Sequence, residues 1–197
     1  MTPDIEERIT EKRKPSHEIH PIFTERWSPR ALERDMTEED LMALFEAARW
    51  APSSYNNQSW RFLYSTYQDD EWKVFKDLMN DFNTKWAEKG FALVLIASKT
   101  TFDHNGEESI TNSFDTGAAW ENLALEAARR DLVAHGMQGF DYKKARELLE
   151  IPEEFKVEAM IAIGSKGDES SLLEDMQVKP NGRKELEEIV TKGKFSF

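Results

Sequence analysis

The chain contains no cysteine. That excludes disulfides, a cysteine nucleophile, thiolate zinc sites and Cys-ligated iron–sulfur clusters. No apolar run approaches the ~20 residues that a membrane helix needs; the longest, residues 91–97, has the length of a strand. Positive charge is scarce: 26 Lys and Arg against 38 Asp and Glu leave a net charge of −12 over 197 residues. Such a surface repels phosphate backbones and anionic lipid, so neither nucleic acid nor a membrane is an expected partner. Residues 1–8 hold no apolar stretch of the kind found in secretory signals, and a soluble cytoplasmic protein is the default expectation. Several motifs are missing as well. Without G-x-G-x-x-G, G-x-x-x-x-G-K-[ST], G-x-S-x-G or H-E-x-x-H, the sequence offers no dinucleotide fingerprint, P-loop, hydrolase elbow or zinc-protease helix.

What is present suits one domain with a sizeable core: 39% hydrophobic residues, six Trp and twelve Phe. Residues 1–25 combine charge, Pro15 and Pro21 with little periodicity and read as an N-terminal arm that a partner surface would order. Residues 26–197 read as a single domain ending in a C-terminal extension. A helix starts at Thr37, where Thr-Glu-Glu-Asp resembles a capping box and Leu41, Leu44, Phe45 and Ala48 recur at helical spacing. Residues 60–66 suit a strand. A helix after Asp70 would carry Trp72, Phe75, Met79 and Phe82 on one stripe. Residues 91–98 read as a buried strand, 100–113 as a polar loop turning at Asn105-Gly106, and 115–134 as a long Ala-rich helix. A short helix over 142–149, a strand over 157–164 and an amphipathic segment over 183–190 complete an α+β pattern.

Three local clusters carry chemistry. Arg26-Trp-Ser-Pro-Arg30 places two guanidiniums and a hydroxyl within reach of a phosphate or polyol, although a charged turn would have the same composition. Residues 51–60, Ala-Pro-Ser-Ser-Tyr-Asn-Asn-Gln-Ser-Trp, gather amides suited to the edge of a heterocycle; ordinary turn chemistry favours the same residues. His135-Gly-Met-Gln-Gly-Phe-Asp141, expected directly after the long helix, has two glycines that let backbone amides approach a flat ligand. His17-x-x-His20 has metal-compatible spacing, but no third ligand is nearby and a solvated pair is the expectation.

Together these clusters resemble the nitroreductase family of FMN-dependent oxidoreductases. The resemblance runs in order through Arg26-x-Ser-x-Arg30, Ala48-x-x-Ala-Pro-Ser-x-x-Asn-x-Gln-x-Trp-x-Phe62, Asn83-x-x-Trp86 and Gly117-Ala-Ala-x-x-Asn-Leu123. It continues through His135-Gly-Met-x-Gly-Phe-Asp141 to Gly182-Arg-Lys-x-Leu-x-Glu-Ile-Val190. Two departures are Trp27, bulkier than the residue usual there, and Ser59, where proline is common.

The resemblance implies a central, mostly antiparallel sheet flanked by helices, in an intertwined homodimer with exchanged terminal segments. It implies FMN in a groove between subunits. Arg26, Ser28 and Arg30, joined by Arg183 and Lys184, would hold the phosphate, ribityl chain and pyrimidine side. Ser53, Ser54 and Asn56 would reach across the subunit boundary, and Asn83 would meet the pyrimidine edge. Gly136, Met137, Gln138 and Gly139 would lie against the ring; Trp27, Pro52 and His135 fall within the same segments. The implied reaction is ping-pong: hydride from NAD(P)H to flavin N5, then reduction of an electron-poor acceptor such as a nitroaromatic or quinone. Because the redox chemistry belongs to the cofactor, no side chain is expected to act as acid, base or nucleophile, and no metal is implied. Phe102 and His104 are candidates for the acceptor pocket. A reductive dehalogenase or dehydrogenase on this scaffold, or a protein that stores or senses FMN, are the alternatives.

Overall fold

The computed structural model describes residues 3–197. Five strands form one sheet: β1 (Leu32–Glu33), β2 (Trp60–Thr66), β3 (Ala92–Lys99), β4 (Leu132–Met137) and β5 (Phe155–Lys166). β5 is the hub. It pairs with β3 along Phe155–Ile163, with β4 along Met160–Ser165, and with β1 at Ser165 and Lys166, while β2 pairs with the other edge of β3. Each of these pairings is antiparallel, as the α+β expectation required.

Both faces of the sheet are covered, which explains why β3 is buried over residues 92–98 without polar alternation. Its period of two still sorts the side chains. Val94 and Ile96 enter one core with Leu41 and Leu44 of α3 (Glu38–Arg49) and Ala119, Leu123 and Ala127 of α6 (Asn112–Arg129). Leu93 and Leu95 enter the other, with Phe75 and Leu78 of α4 (Trp72–Leu78), Trp86 of α5 (Asp81–Ala87) and Ala145 of α7 (Tyr142–Leu148). Helix α3 starts at the expected place. Thr37 Oγ1 accepts from the Asp40 amide and the Asp40 carboxylate accepts from the Thr37 amide, which satisfies two otherwise orphaned donors.

Four expectations need correction. The helix expected over 115–134 runs from Asn112 to Arg129; Asp131 then adopts φ 57°, and the chain turns into β4. The sequence 128–134 is a tolerable helix, but pairing with β5 outweighs that local preference. The segment at His135 therefore lies on a strand and its exit, not on a helix cap. The single helix expected after Asp70 is two. Met79 is extended and bridges Phe140, and the Asn80 side chain accepts from the Asn83 amide, starting α5 afresh. Within the arm the chain forms two helices, α1 (Pro3–Lys12) and α2 (Ile22–Glu25), and Ile9 is buried. In the tail only a 3₁₀ turn, Leu186–Glu188, forms where an amphipathic segment was expected. No helix among the described residues is long and apolar enough to cross a membrane.

Candidate cofactor site

At the exit of β4 the chain must pass very close to the start of α5, and glycine makes this possible. A Cβ at Gly139 would stand 2.5 Å from the side-chain nitrogens of both Asn80 and Asn83. Those amides cannot swing away freely. Asn83 is buried, its Nδ2 donates to the Gly139 carbonyl at 3.1 Å, and its Oδ1 accepts from Trp86 Nε1 at 3.3 Å. The Asn80 backbone N–H also donates to the Gly139 carbonyl, at 3.0 Å, and its side-chain Oδ1 accepts from the Asn83 backbone N–H at 2.8 Å. Asn83, expected at a pyrimidine edge, thus anchors the segment 136–139 from behind.

His135 extends the same scaffold. Its ring packs against Trp86 with centroids 4.5 Å apart, and Nδ1 lies 2.9 Å from the Pro29 carbonyl. A carbonyl only accepts, so Nδ1 carries the hydrogen. Burial, joined by the positive charges of Arg30 and Arg26, holds the imidazole pKa below its ordinary value despite that bond. The contact ties β4 to the Arg26–Arg30 segment.

Between these elements lies a cavity of about 440 Å³. Arg26 and Ser28 stand together on its lining, with Arg26 Nη1 donating to Ser28 Oγ at 3.2 Å. Gly136, Met137 and Gln138 form a wall, Trp120 and Glu121 of α6 another, and Ile96, Ala159 and Ile161 contribute from the sheet. A bulge in the β3–β5 pairing sits beside it. Ile96 opposes Ala159 and Ala97 opposes Val157, so Glu158 is skipped and its carboxylate accepts from the Ser98 and Ser113 hydroxyls.

Five residues expected at a cofactor therefore line one cavity: Arg26, Ser28, Gly136, Met137 and Gln138. The others stand elsewhere in the single chain. Arg30 turns away from the lining; its Nη1 donates to the Met176 carbonyl and its guanidinium lies 4.8 Å from the Phe82 ring centre. Trp27 lines a neighbouring hollow of about 310 Å³ and lies beneath Lys166. Arg183 and Lys184 line a third recess, between the arm and the tail.

The Pro52–Asn56 stretch forms a separate rim. Tyr55, Asn56 and Gln58 all have left-handed φ, from 49° to 53°, a conformation costly for side-chain-bearing residues and frequent at functional loops. It is held by Asp115, whose carboxylate accepts from the Ser54 amide, by Ser53 Oγ accepting from the Gln58 amide, and by Asn57 accepting from Asp103. Phe102 and His104 join this rim: their rings lie 5.5 and 5.1 Å from that of Tyr55, which is 80% exposed. Tyr55 was not singled out in the sequence, because it sits between turn residues. Arg13 lies in the charged run Glu11-Lys-Arg-Lys14, where nothing local marks it out.

The family model of the nitroreductase family matches residues 23–92 and 65–165. A solved structure described as an oxidoreductase containing FMN is 39% identical, covers 93% of this chain and 96% of its own, and superposes with a TM-score of 0.88. A protein from Desulfovibrio desulfuricans solved in complex with FMN is 22% identical, covers 91% and 100%, and gives a TM-score of 0.66, a likeness of fold. Protein DrgA of Synechocystis is 24% identical over 163 residues, 68% of this chain and 77% of DrgA.

Proposed function

The chain belongs to the nitroreductase family, and from that premise we propose that it is an FMN-dependent oxidoreductase using NAD(P)H to reduce an electron-poor acceptor such as a nitroaromatic or quinone. The carrying observation is the 440 Å³ cavity with Arg26 and Ser28 on the same lining as Gly136–Gln138. Its volume falls in the ~300–1,000 Å³ range of small-molecule sites, and its donor set matches the cofactor in kind. A guanidinium suits a phosphate, a hydroxyl suits a polyol, and an exposed stretch of backbone braced by Trp120 suits a flat ring. The relative described as containing FMN supports the same reading.

FMN held there would supply the redox chemistry between NAD(P)H and the acceptor. The protein's part is to bind and orient. Arg26 would neutralise phosphate charge that a body at −12 would otherwise disfavour. The Gly136–Gln138 wall would lie against the flavin ring, and the Asn83–Gly139 and His135–Pro29 bonds hold that wall in place. Trp120 packs against Gly136, where a Cβ would stand 3.2 Å from its ring, and so backs the same wall.

A homodimer belongs to this proposal. The Pro52–Asn56 rim does not line the cavity of its own chain, and Trp50, Tyr55, Ile110 and Phe114 are 72–86% exposed, large apolar groups that a second copy would cover. The test begins with colour. Purified protein should carry flavin absorbance, bleach anaerobically with NADH or NADPH, and recover on adding a nitroaromatic or quinone. Bound flavin that neither nucleotide bleaches would favour storage or sensing. Recovery only with halogenated phenols would favour a dehalogenase, and sedimentation as a flavin-loaded monomer would reject the dimer.

A further inference from the structure

Arg13 lies outside the segment that the family model matches, in the N-terminal arm. Its guanidinium lines the recess between arm and tail and makes three hydrogen bonds to backbone carbonyls. Nη1 donates to the backbone carbonyls of Thr24 at 2.9 Å and Arg26 at 2.6 Å, and Nε donates to the Asn181 carbonyl at 2.9 Å. One side chain thus joins three segments: the arm, the stretch leading into Arg26-x-Ser28, and the tail just before Arg183. The backbone agrees, since a Cβ on Gly182 would stand 3.1 Å from the Lys12 carbonyl, so tail and arm touch main chain to main chain.

These bonds hold cations together against repulsion. Burial first, then the charges of Arg183 and Arg26, pull the Arg13 pKa down to about 10. Arg13 forms no ion pair among the described residues, and its hydrogen-bond acceptors are neutral carbonyls. Arg26 lines the cavity while Arg13 and Arg183 share the adjoining recess between arm and tail, and among the described residues none of the three guanidiniums has a carboxylate bonded to it; an incoming dianion that reached them would be stabilised.

We infer that Arg13 is a positioning residue for the phosphate end of the cofactor: it clamps the backbone of the Arg26 and Arg183 segments so that both guanidiniums converge on one anion. The inference rests on the FMN reading above and adds a requirement to it, namely that the arm completes the site. A forked donor is needed because three carbonyls must be met from fixed directions; an ammonium supplies the charge without the fork.

The test uses the full-length protein, freed of flavin, and titrates FMN and riboflavin, which lacks the phosphate, against wild type, Arg13→Gln and Arg13→Lys. Both variants should lose roughly tenfold or more in FMN affinity, about 1.4 kcal/mol, with riboflavin affinity within about twofold of wild type. Full retention of FMN affinity in Arg13→Lys would replace the clamp by simple charge and overturn the inference. Unchanged FMN affinity in Arg13→Gln, or equal loss of both flavins in the variants, would overturn it too. A second readout needs no cofactor: tryptic cleavage after Arg183 and Lys184 should be faster in both variants, and an unchanged rate would refute the clamp. Wild type that ignores FMN while the variants are cleaved faster would leave the clamp standing and reject its cofactor role together with the FMN reading.

Discussion

The wall of the cavity and the charged corner that meets it at Arg26 are built in opposite ways. Residues 135–139 are held by buried, mutually satisfied bonds that converge on Asn83, Trp86 and Pro29. The corner formed by Arg13, Arg26 and Arg183 is held by single hydrogen bonds to loop carbonyls, against electrostatic repulsion. Damage to the wall should therefore appear as lost folding stability, and damage to the corner as lost anion binding with stability kept.

Asn83→Ala should separate the two most widely. It leaves the indole N–H of Trp86, a fully buried side chain, without its acceptor and removes one donor from the Gly139 carbonyl. At about 1–3 kcal/mol for the indole left unsatisfied and about 0.5–1.5 kcal/mol for the bond lost from the carbonyl, which keeps the Asn80 backbone N–H, a total loss of about 2–4 kcal/mol is expected in urea unfolding. A loss below about 1 kcal/mol would mean that the wall is not braced there. Gly139→Ala comes next. The added methyl meets two amides that are themselves bonded, and overpacking of this kind costs about 1–3 kcal/mol; an unchanged unfolding midpoint would contradict the close approach.

The arginine pair sharpens the contrast within five residues. Arg26 lines the cavity, so Arg26→Ala should weaken FMN binding by about 1–3 kcal/mol while moving stability by no more than about 0.5 kcal/mol. Arg30 packs over Phe82 and donates to the Met176 carbonyl. Arg30→Ala should accordingly lower stability by about 1–2 kcal/mol, from the lost bond and the lost cation–π contact. Flavin titration and thermal melting of the same two proteins decide the matter, and identical profiles would erase the distinction.

Much of this was readable from the chain because the signals are local. The Thr37 capping box, the strand at Trp60–Thr66 and the buried run in β3 each need only their own neighbours to be recognised. Family and fold followed from ordered short motifs. The failures are decided at a distance. The left-handed Asp131 and the pairing of β4 with β5 end a helix that local composition would continue. Asn80 splits α4 from α5 by capping, where the apolar stripe runs straight through. Residues 26, 28 and 136–138 line one cavity. The side-chain direction of Arg30 depends instead on Phe82 and Met176, and the partners of Arg13 lie as far away as Asn181. No window of sequence contains those facts.

The smallest expected effect falls where wall and corner meet, at His135. Its folded pKa lies below the ordinary imidazole value because burial and the neighbouring Arg30 and Arg26 disfavour the charged ring. The unfolded chain takes up a proton near pH ~6.5 that the folded chain refuses. Stability is therefore retained above that pH and declines as the solution is acidified through it. For one group the slope is limited to about 1.4 kcal/mol per pH unit. Melting temperatures of wild type and His135→Gln, taken from pH 7.5 to 5.5, should converge toward acid, since only wild type carries this penalty. That window lies above the range in which carboxylates titrate, so their acid loss does not obscure the comparison. Parallel curves would mean that the imidazole charges without cost, and that the wall tolerates beside Arg26 and Arg30 the added positive charge that its burial is here argued to exclude.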